Sequence, residues 1–263
     1  MKLKIASLLV FVWAAAFLAA CASSSPSSAP STPTVEKNKA AAEAGRNLGE
    51  AYLAGGNLQA ALRELKKAEG YDPEDHITQF DIGLVYYYRE RYDQAIQYFE
   101  KAIRLKPDYA PAINSLGNAY LEKGDWDNAI ATYRKIVEDV FYGTPHFAVT
   151  NMALAYYQKK EYAQAEKYFL EALKLNPDFA NALGGLGMTY TAMGRYADAV
   201  QKLERAVRKN PKLPQLHYEL GRAYRGLGDR KKARDEFQLT LELAPESPMA
   251  DEAQRQLKEL GPG

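Results

Sequence analysis

Histidine, cysteine and closely spaced glycine are the residue types from which metal, thiol or phosphate chemistry in this chain would have to be built. The three histidines, His76, His146 and His217, lie far apart, and no HExxH or Cys–His spacing pairs two ligands. The run Gly185-Leu186-Gly187 lacks the third glycine of a phosphate loop. The sequence therefore predicts no catalytic residue, metal site or cofactor, and we expect no enzyme activity.

The single cysteine, Cys21, follows a segment typical of a secretory signal peptide. Residues 1–20 combine a basic start with an apolar run over 5–17, which favours a signal peptide over a spanning helix. The stretch Leu18-Ala19-Ala20-Cys21 resembles the lipobox of bacterial lipoproteins. That resemblance implies that the thiol of Cys21 receives a diacylglycerol and anchors the chain, stably if several acyl chains are attached.

The residue after the cysteine bears on location. In the lipoproteins that this stretch resembles, an aspartate there favours the inner membrane, so Ala22 favours the periplasmic face of the outer membrane of a bacterium. The alternative is an ordinary signal peptide cut near Ala20 or Ala22, with Cys21 incidental. Residues 21–39 are predicted to be the lipidated cysteine and a disordered tether, because serine and proline dominate their first half.

Charge and composition limit the classes of partner. The 263 residues are 47% hydrophobic and 25% charged, with a net charge of +1, as in ordinary globular proteins. This balance gives no reason to expect nucleic acid as a partner. The expected attachment to a membrane therefore depends on the lipid at Cys21.

A 34-residue period fills the remaining sequence. Small residues recur on it, each followed three residues later by tyrosine, twelve later by alanine and sixteen later by a bulky residue. The small residues are Gly49, Gly83, Gly117, Ala153, Gly187 and Gly221. The bulky residues are Leu65, Phe99, Tyr133, Phe169, Leu203 and Phe237. A fixed period of this length is typical of stacked helical repeats.

The pattern resembles the tetratricopeptide repeat over residues 42–247. The resemblance implies an all-α, right-handed α-solenoid of six helix pairs plus a C-terminal capping helix, occupying residues 40–260. The expected units are 42–75, 76–109, 110–143, 146–179, 180–213 and 214–247, and the cap is 248–260. We assign the repeating glycines, alanines and tyrosines to the core.

The register slips by two residues between the third and fourth units. The segment 138–151 contains this insertion, with Phe141, Tyr142 and Pro145 as its notable residues. It is either a tolerated loop or a joint that contacts a partner. Together with the lipobox and six repeats, this insertion resembles the pilotins of type IV pili, the PilF/PilW/Tgl group of lipoproteins. The resemblance implies a partner, a secretin subunit, and a role in assembling that secretin in the outer membrane.

The first helices of a solenoid line its concave surface, where we expect positions 2, 5, 9, 12 and 13 of each helix to meet a protein partner. The candidate groove residues are Phe80, Leu84, Tyr87, Tyr88, Asn114, Asn118, Leu121, Phe147, Thr150, Leu154 and Tyr157. Alternatively, tight curvature buries these side chains among themselves. We expect replacement of Phe80 and Tyr87 by alanine to weaken partner capture without changing thermal melting.

The residues at positions 5 and 9 form no carboxylate clamp of the kind found in chaperone-binding repeats. The basic run of the last unit is either a solvated face or a second site for an acidic partner. The predicted function is a non-catalytic, protein-binding pilotin; the alternative is a general envelope adaptor for cell-wall enzymes or outer-membrane protein assembly.

Overall fold

The computed structural model describes residues 33–137 and 144–261. Cys21, Phe141 and Tyr142 lie outside these residues. Within them the chain forms thirteen α-helices and no strand, which confirms the all-α prediction. The helices are α1 Pro33–Ala54, α2 Leu58–Tyr71, α3 His76–Tyr88, α4 Tyr92–Leu105, α5 Ala110–Lys123, α6 Trp126–Val137, α7 Pro145–Gln158, α8 Tyr162–Leu175, α9 Ala180–Ala192, α10 Tyr196–Lys209, α11 Pro214–Leu227, α12 Arg230–Leu243 and α13 Pro248–Leu260.

The helices pack as a solenoid of antiparallel pairs. Each odd-numbered helix up to α11 packs against the even-numbered helix that follows, and each pair packs against the next. The backbones of odd-numbered helices of successive pairs also approach one another, whereas those of the described even-numbered helices lie farther apart and meet through side chains such as Lys101 and Glu69. The odd-numbered helices therefore form the inner row, and the even-numbered helices lie on the outer side.

Glycine on the inner helix sets the close approach within a pair. A Cβ added at Gly83 would lie 2.5 Å from the ring of Phe99, and one at Gly117 would lie 2.6 Å from Tyr133. Both aromatic side chains are fully buried. The same overlap occurs between Gly49 and Leu65, between Gly187 and Leu203, and between Gly221 and Phe237. The repeating glycine thus lets a large side chain of the outer helix reach the inner helix backbone.

Proline ends the outer helices by restricting the residue before it. Asp72, Lys106 and Asn176 each follow an outer helix with φ near −140° and ψ between 90° and 95°. Each precedes a proline, which disfavours helical dihedrals at that position. The chain therefore leaves the helix there and turns into the next pair.

The first helix begins earlier than the sequence predicted. The tether was expected to extend to residue 39, but α1 begins at Pro33, so the prediction is wrong for 33–39. Pro33 is the last of the serine- and proline-rich residues and suits the first turn of a helix. Residues 34–39 include Glu36, Lys37 and Lys39, which are good helix formers.

The last helix covers the end of the solenoid. Ser247 caps α13 by accepting a hydrogen bond from the backbone N–H of Ala250 at 3.1 Å. Ala253 and Leu260 are buried in the same cluster as Phe237 of α12. The basic residues of the last unit are partly used here, since Arg230 and Arg234 donate to the carbonyls of Leu260 and Gly261. None of the described helices has the length and apolarity needed to cross a bilayer.

Candidate protein-binding surface

The candidate groove residues all lie on the inner helices α3, α5 and α7, but they differ in exposure. Two are open to solvent, Tyr88 with 59% and Phe147 with 44% of its surface exposed. Eight are half-buried: Phe80, Leu84, Tyr87, Asn114, Asn118, Leu121, Leu154 and Tyr157. The groove assignment itself stays a prediction, and exposure singles out Tyr88 and Phe147 as the side chains a partner meets first.

Thr150 does not fit the groove as predicted. Its side chain is buried, with 6% of the residue exposed, and its hydroxyl donates to the carbonyl of His146 at 2.7 Å. A threonine in a helix often satisfies its hydroxyl in this way, on the carbonyl one turn back. The prediction that Thr150 lines an open surface is therefore wrong.

The asparagines of α5 have different surroundings. The side-chain oxygen of Asn118 accepts hydrogen bonds from the Tyr133 hydroxyl at 2.5 Å and from the Asn151 amide at 3.0 Å. Asn118 therefore ties α5 to α6 and α7. The side-chain oxygen of Asn114 is buried without a hydrogen-bond partner. Asn114 is thus the better candidate of the two for a polar contact with a bound chain.

Aromatic side chains cluster around the second unit. Phe80 packs edge-on against Tyr109 with ring centroids 5.4 Å apart, and it also contacts Phe99 of the core at 5.8 Å. Tyr87 packs edge-on against both Tyr88 and Tyr92. Burial, with Glu122 nearby, raises the pKa of Tyr87 to about 12. Phe80 and Tyr87 therefore support the wall of the surface, and Tyr88 stands out from it.

The start of the fourth unit carries a second aromatic cluster. Pro145 is the first residue of α7, where its ring restricts the backbone in a helical conformation. Phe147 and His146 both pack against Phe179, which caps the next inner helix, at centroid distances of 4.8 and 4.9 Å. The slipped register thus leads directly into an exposed aromatic side chain supported from the fifth unit.

The surface narrows towards the C-terminal units. Tyr157 of α7 faces Arg222 and Glu219 of α11, across the intervening helix α9. Helix α9 allows this approach because it is rich in small residues, and a Cβ at Gly184 would lie 2.7 Å from Leu216 of α11. Tyr157 is therefore half-buried against the sixth unit.

A group of charged residues in the first two units was missed as a site by the sequence analysis. Arg46 of α1 forms an ion pair with Asp75 at 2.8 Å and approaches Glu50 at 3.4 Å. Asp81 of α3 faces the same group and is only 5% exposed. Burial raises the pKa of Asp81 to about 8, and the neighbouring Glu50 adds to this. Asp81 is the only acidic residue in the mainly apolar α3, which was a usable signal.

A second buried carboxylate occupies the equivalent position in the sixth unit. Glu219 is 3% exposed, and burial raises its pKa. Arg222 donates to it at 2.9 Å and Gln215 at 3.3 Å. Glu219 therefore has a cation on its own helix, whereas α3 offers none to Asp81. Within the described ranges, no cluster of histidine, cysteine, aspartate and glutamate could hold a metal ion.

Comparison with known proteins places these helices in a family. The profile of the cilia and flagella-associated protein 70 C-terminal domain matches residues 14–260. The chain belongs to this family. Members of the same repeat class include superkiller complex protein 3 of mouse, which is 35% identical over 78 residues. That alignment covers 30% of this chain and 5% of the relative, so the shared part is a run of repeats.

Type IV pilus proteins are also among the relatives, as the sequence analysis suggested. The type IV pilus assembly protein PilF of Pseudomonas aeruginosa is 27% identical over 129 residues, which is 49% of this chain and 51% of PilF. The crystal structure of PilW, a widely conserved type IV pilus biogenesis factor, has a TM-score of 0.72 at 21% identity, covering 81% of this chain and 98% of PilW. A structure of Pseudomonas aeruginosa PilF has a TM-score of 0.68 at 22% identity, covering 84% of this chain and 99% of PilF. The resemblance to PilF and PilW is confirmed at this level.

Proposed function

We propose that this chain is a non-catalytic, protein-binding lipoprotein that acts as a pilotin in type IV pilus biogenesis, helping an outer-membrane secretin to assemble. The observation that carries the proposal is the end-to-end match with PilW and PilF, whose full lengths are covered almost completely. The 27% identity with PilF over 129 residues adds sequence support. Every described helix belongs to the solenoid or its cap, which fits a role in binding.

The location proposed for the protein depends on Cys21. We propose that Cys21 carries the lipid and that Ala22 directs the protein to the periplasmic face of the outer membrane. Replacement of Cys21 by serine should abolish incorporation of labelled palmitate and release the protein from the membrane fraction. Replacement of Ser23 by alanine is the matched control and should change neither. Palmitate labelling of the serine variant would contradict the proposed anchor.

The proposed partner is a secretin subunit held on the inner surface of the first four units. Tyr88 and Phe147 are the exposed aromatic residues there, and aromatic side chains are frequent anchors of protein interfaces. Their rings are supported from behind by Tyr87 and by Phe179, which limits the entropy lost on binding. The partner thus meets a surface that is already in place.

The test of the pilotin role is a deletion strain. Deletion should leave the secretin as monomers, as seen on denaturing gels of unheated membranes, and should abolish pili. The wild-type gene should restore both, whereas a gene with Tyr88 and Phe147 replaced by alanine should restore neither at equal protein level. Normal secretin multimers in the deletion strain would rule out the pilotin role.

The second candidate function is a general envelope adaptor. It is favoured by the breadth of the matches, since runs of these repeats also align with the BBSome member BBS4 of cattle, 27% identical over 146 residues. That alignment covers 28% of BBS4, so it supports the repeat and no particular partner. Normal secretin multimers together with altered cell-wall or outer-membrane protein assembly in the deletion strain would favour the adaptor.

A further inference from the structure

The first two inner helices bring together more negative than positive charge. Arg46 and Glu50 project from α1, Asp75 caps α3, and Asp81 lies one and a half turns into α3. With every group ionised, these four residues carry one positive and three negative charges. The single cation, Arg46, lies 2.8 Å from Asp75 and 3.4 Å from Glu50. The Asp75 carboxylate also accepts hydrogen bonds from the backbone N–H groups of Ile77 and Thr78.

Glu50 and Asp81 therefore share one cation, Arg46, with Asp75, and negative charge remains in excess around the pair. Their carboxyl groups lie close enough to share a hydrogen bond, and one oxygen of Asp81 is buried without another partner. Burial, with the like charge of Glu50 nearby, raises the pKa of Asp81 to about 8, so Asp81 holds a proton at neutral pH. The Glu50 side chain is 46% exposed, which opens the pair to the inner surface.

An aromatic wall borders the carboxyl pair. Tyr109 faces Asp81, Glu50 and Asp75, and burial with these carboxylates raises the pKa of its hydroxyl. Its ring packs edge-on against Phe80 and against His76. A carboxylate beside aromatic rings is a suitable environment for a cationic side chain with an apolar stem, because the rings attract the cation and the stem packs on them.

We propose that the Glu50–Asp81 pair, with Tyr109 and Phe80 beside it, binds a lysine or arginine side chain of the partner protein. This inference rests on the proposed protein-binding function and specifies which partner residue the first two units recognise. Complementary charge is the argument for this occupant, since the cleft has an excess of carboxylates and a cation would favour the ionised form of Asp81. Asn114, with its buried oxygen unpaired on the next inner helix, supplies a further acceptor along the same row.

The sixth unit provides an internal comparison. Glu219 occupies the equivalent helix position and is similarly buried, but Arg222 already pairs with it at 2.9 Å. The intramolecular pair shows what a buried carboxylate at this position accepts as a neighbour. In the second unit α3 offers no such cation and Arg46 of α1 is divided between Asp75 and Glu50, which leaves room for a further cation from a partner. This contrast also supplies a control, because Glu219 should not respond to an added cation.

Binding of the cation should release the proton that Asp81 holds. The groups that face Asp81 are Arg46 and Glu50 of α1, Asp75 before α3, and Tyr109 at the start of α5. Of these, Asp81 is the group that changes ionisation near neutral pH, because its pKa is raised to about 8. A cation that requires both carboxylates to be ionised should therefore bind more tightly at pH 8.5 than at pH 6.5.

The probe is N-acetyl-arginine methylamide, titrated into the isotope-labelled full chain and followed by backbone NMR shifts. N-acetyl-citrulline methylamide, which has the same shape without the charge, is the control ligand. We expect the arginine compound to bind with a millimolar Kd and to shift only resonances of α1, α3 and the start of α5. Its affinity should be at least tenfold higher than that of the citrulline compound. It should also be about tenfold higher at pH 8.5 than at pH 6.5. Equal binding of the two compounds would overturn the proposal.

Variants separate this inference from the pilotin proposal. Asp81→Asn and Glu50→Gln should each weaken arginine binding at least tenfold, whereas Glu219→Gln should not alter it. Asp81→Asn also should remain folded, because it removes a buried charge and keeps the shape. Wild-type binding by both variants would overturn the site. Arginine binding with normal secretin multimers in the deletion strain would instead contradict only the pilotin role.

Discussion

The ring of Phe169 in α8 lies directly against the backbone of Gly185 in α9, so closely that a Cβ at Gly185 would overlap it. In the other five units the bulky residue of the outer helix faces a glycine of its own unit. In the fourth unit alanine, Ala153, stands where the other units have this glycine, and the ring of Phe169 lies against Gly185 of the fifth unit instead. The two units are therefore interlocked at the point where Phe169 crosses between them.

Replacement of Gly185 by alanine should destabilise the protein because the added methyl group displaces the ring of Phe169. The expected cost is about 1–3 kcal/mol in the free energy of unfolding, measured by urea denaturation. Gly70→Ala is the control, since a Cβ there meets nothing within 4 Å and a helical alanine should stabilise the chain slightly. Equal stability of both variants would show that Phe169 can move away.

Asp81 should make the stability depend on pH in an unusual direction. Its pKa is raised to about 8, above its ordinary value, so between these values the folded chain holds a proton that the unfolded chain has lost. The free energy of unfolding should therefore fall as pH rises through this interval. Asp81→Asn should remove that dependence and gain at least about 1 kcal/mol at pH 8, the value of one pKa unit.

Urea melts at pH 5 and pH 8 measure this effect. Glu74→Gln, which replaces an exposed carboxylate in the loop before α3, is the matched control and should keep the wild-type pH dependence. A variant at Asp81 that loses stability at pH 8 would mean that the ionised carboxylate makes a favourable contact instead.

Arg222 should be needed to keep Glu219 ionised in its buried position. Arg222→Ala removes the cation 2.9 Å away and leaves a carboxylate that is only 3% exposed. We expect a cost of about 2 kcal/mol at pH 8, and a smaller cost at pH 4.5, because burial raises the pKa of Glu219 and favours its uncharged form at acidic pH. Removing Glu219 as well, in Glu219→Gln with Arg222→Ala, should recover part of this loss. Arg208→Ala, on the exposed face of α10, should cost less than about 0.5 kcal/mol.

Phe80 and Tyr88 should respond differently to truncation, although both belong to the candidate groove. Phe80 packs on Phe99 and Tyr109, so Phe80→Ala should lower the free energy of unfolding by about 2 kcal/mol. Tyr88 is 59% exposed, and Tyr88→Ala should change stability by less than about 0.5 kcal/mol. Thermal melting followed by circular dichroism distinguishes the two. The double variant in which alanine replaces both Phe80 and Tyr87 is thus expected to have a lower melting temperature, contrary to the sequence-based expectation.

The helix pairs were predictable because each depends on residues close in sequence. The glycine, tyrosine and alanine spacing fixes which helices pair, and the all-α solenoid followed from it. The charged group of the first two units was not predictable in the same way. Asp81 and Glu50 lie on different helices, and their proximity depends on how the inner helices stack. The burial of Thr150 was not predictable either, because its position in the helix did not reveal that its hydroxyl donates to the carbonyl of His146.

The narrowing of the surface also depends on packing between units. Tyr157 was predicted to line the groove because of its position in α7, and it remains half-buried. Tyr157 of α7 approaches Arg222 of α11 because the helix between them, α9, carries glycine at 184 and so packs closely on α11. Neither the pattern of α7 nor that of α11 contains this glycine. A consensus position therefore indicates which face a residue occupies, and the neighbouring units decide how open that face is.

The early start of α1 has a consequence for how the protein would meet its partners. With a lipid on Cys21, the residues between the anchor and Pro33 number eleven, and such a segment spans about 40 Å at full extension. The binding surface would then be confined to a thin layer at the membrane. Two molecules held in such a layer encounter each other at an effective concentration in the millimolar range. A weak, rapidly reversible contact would suffice there.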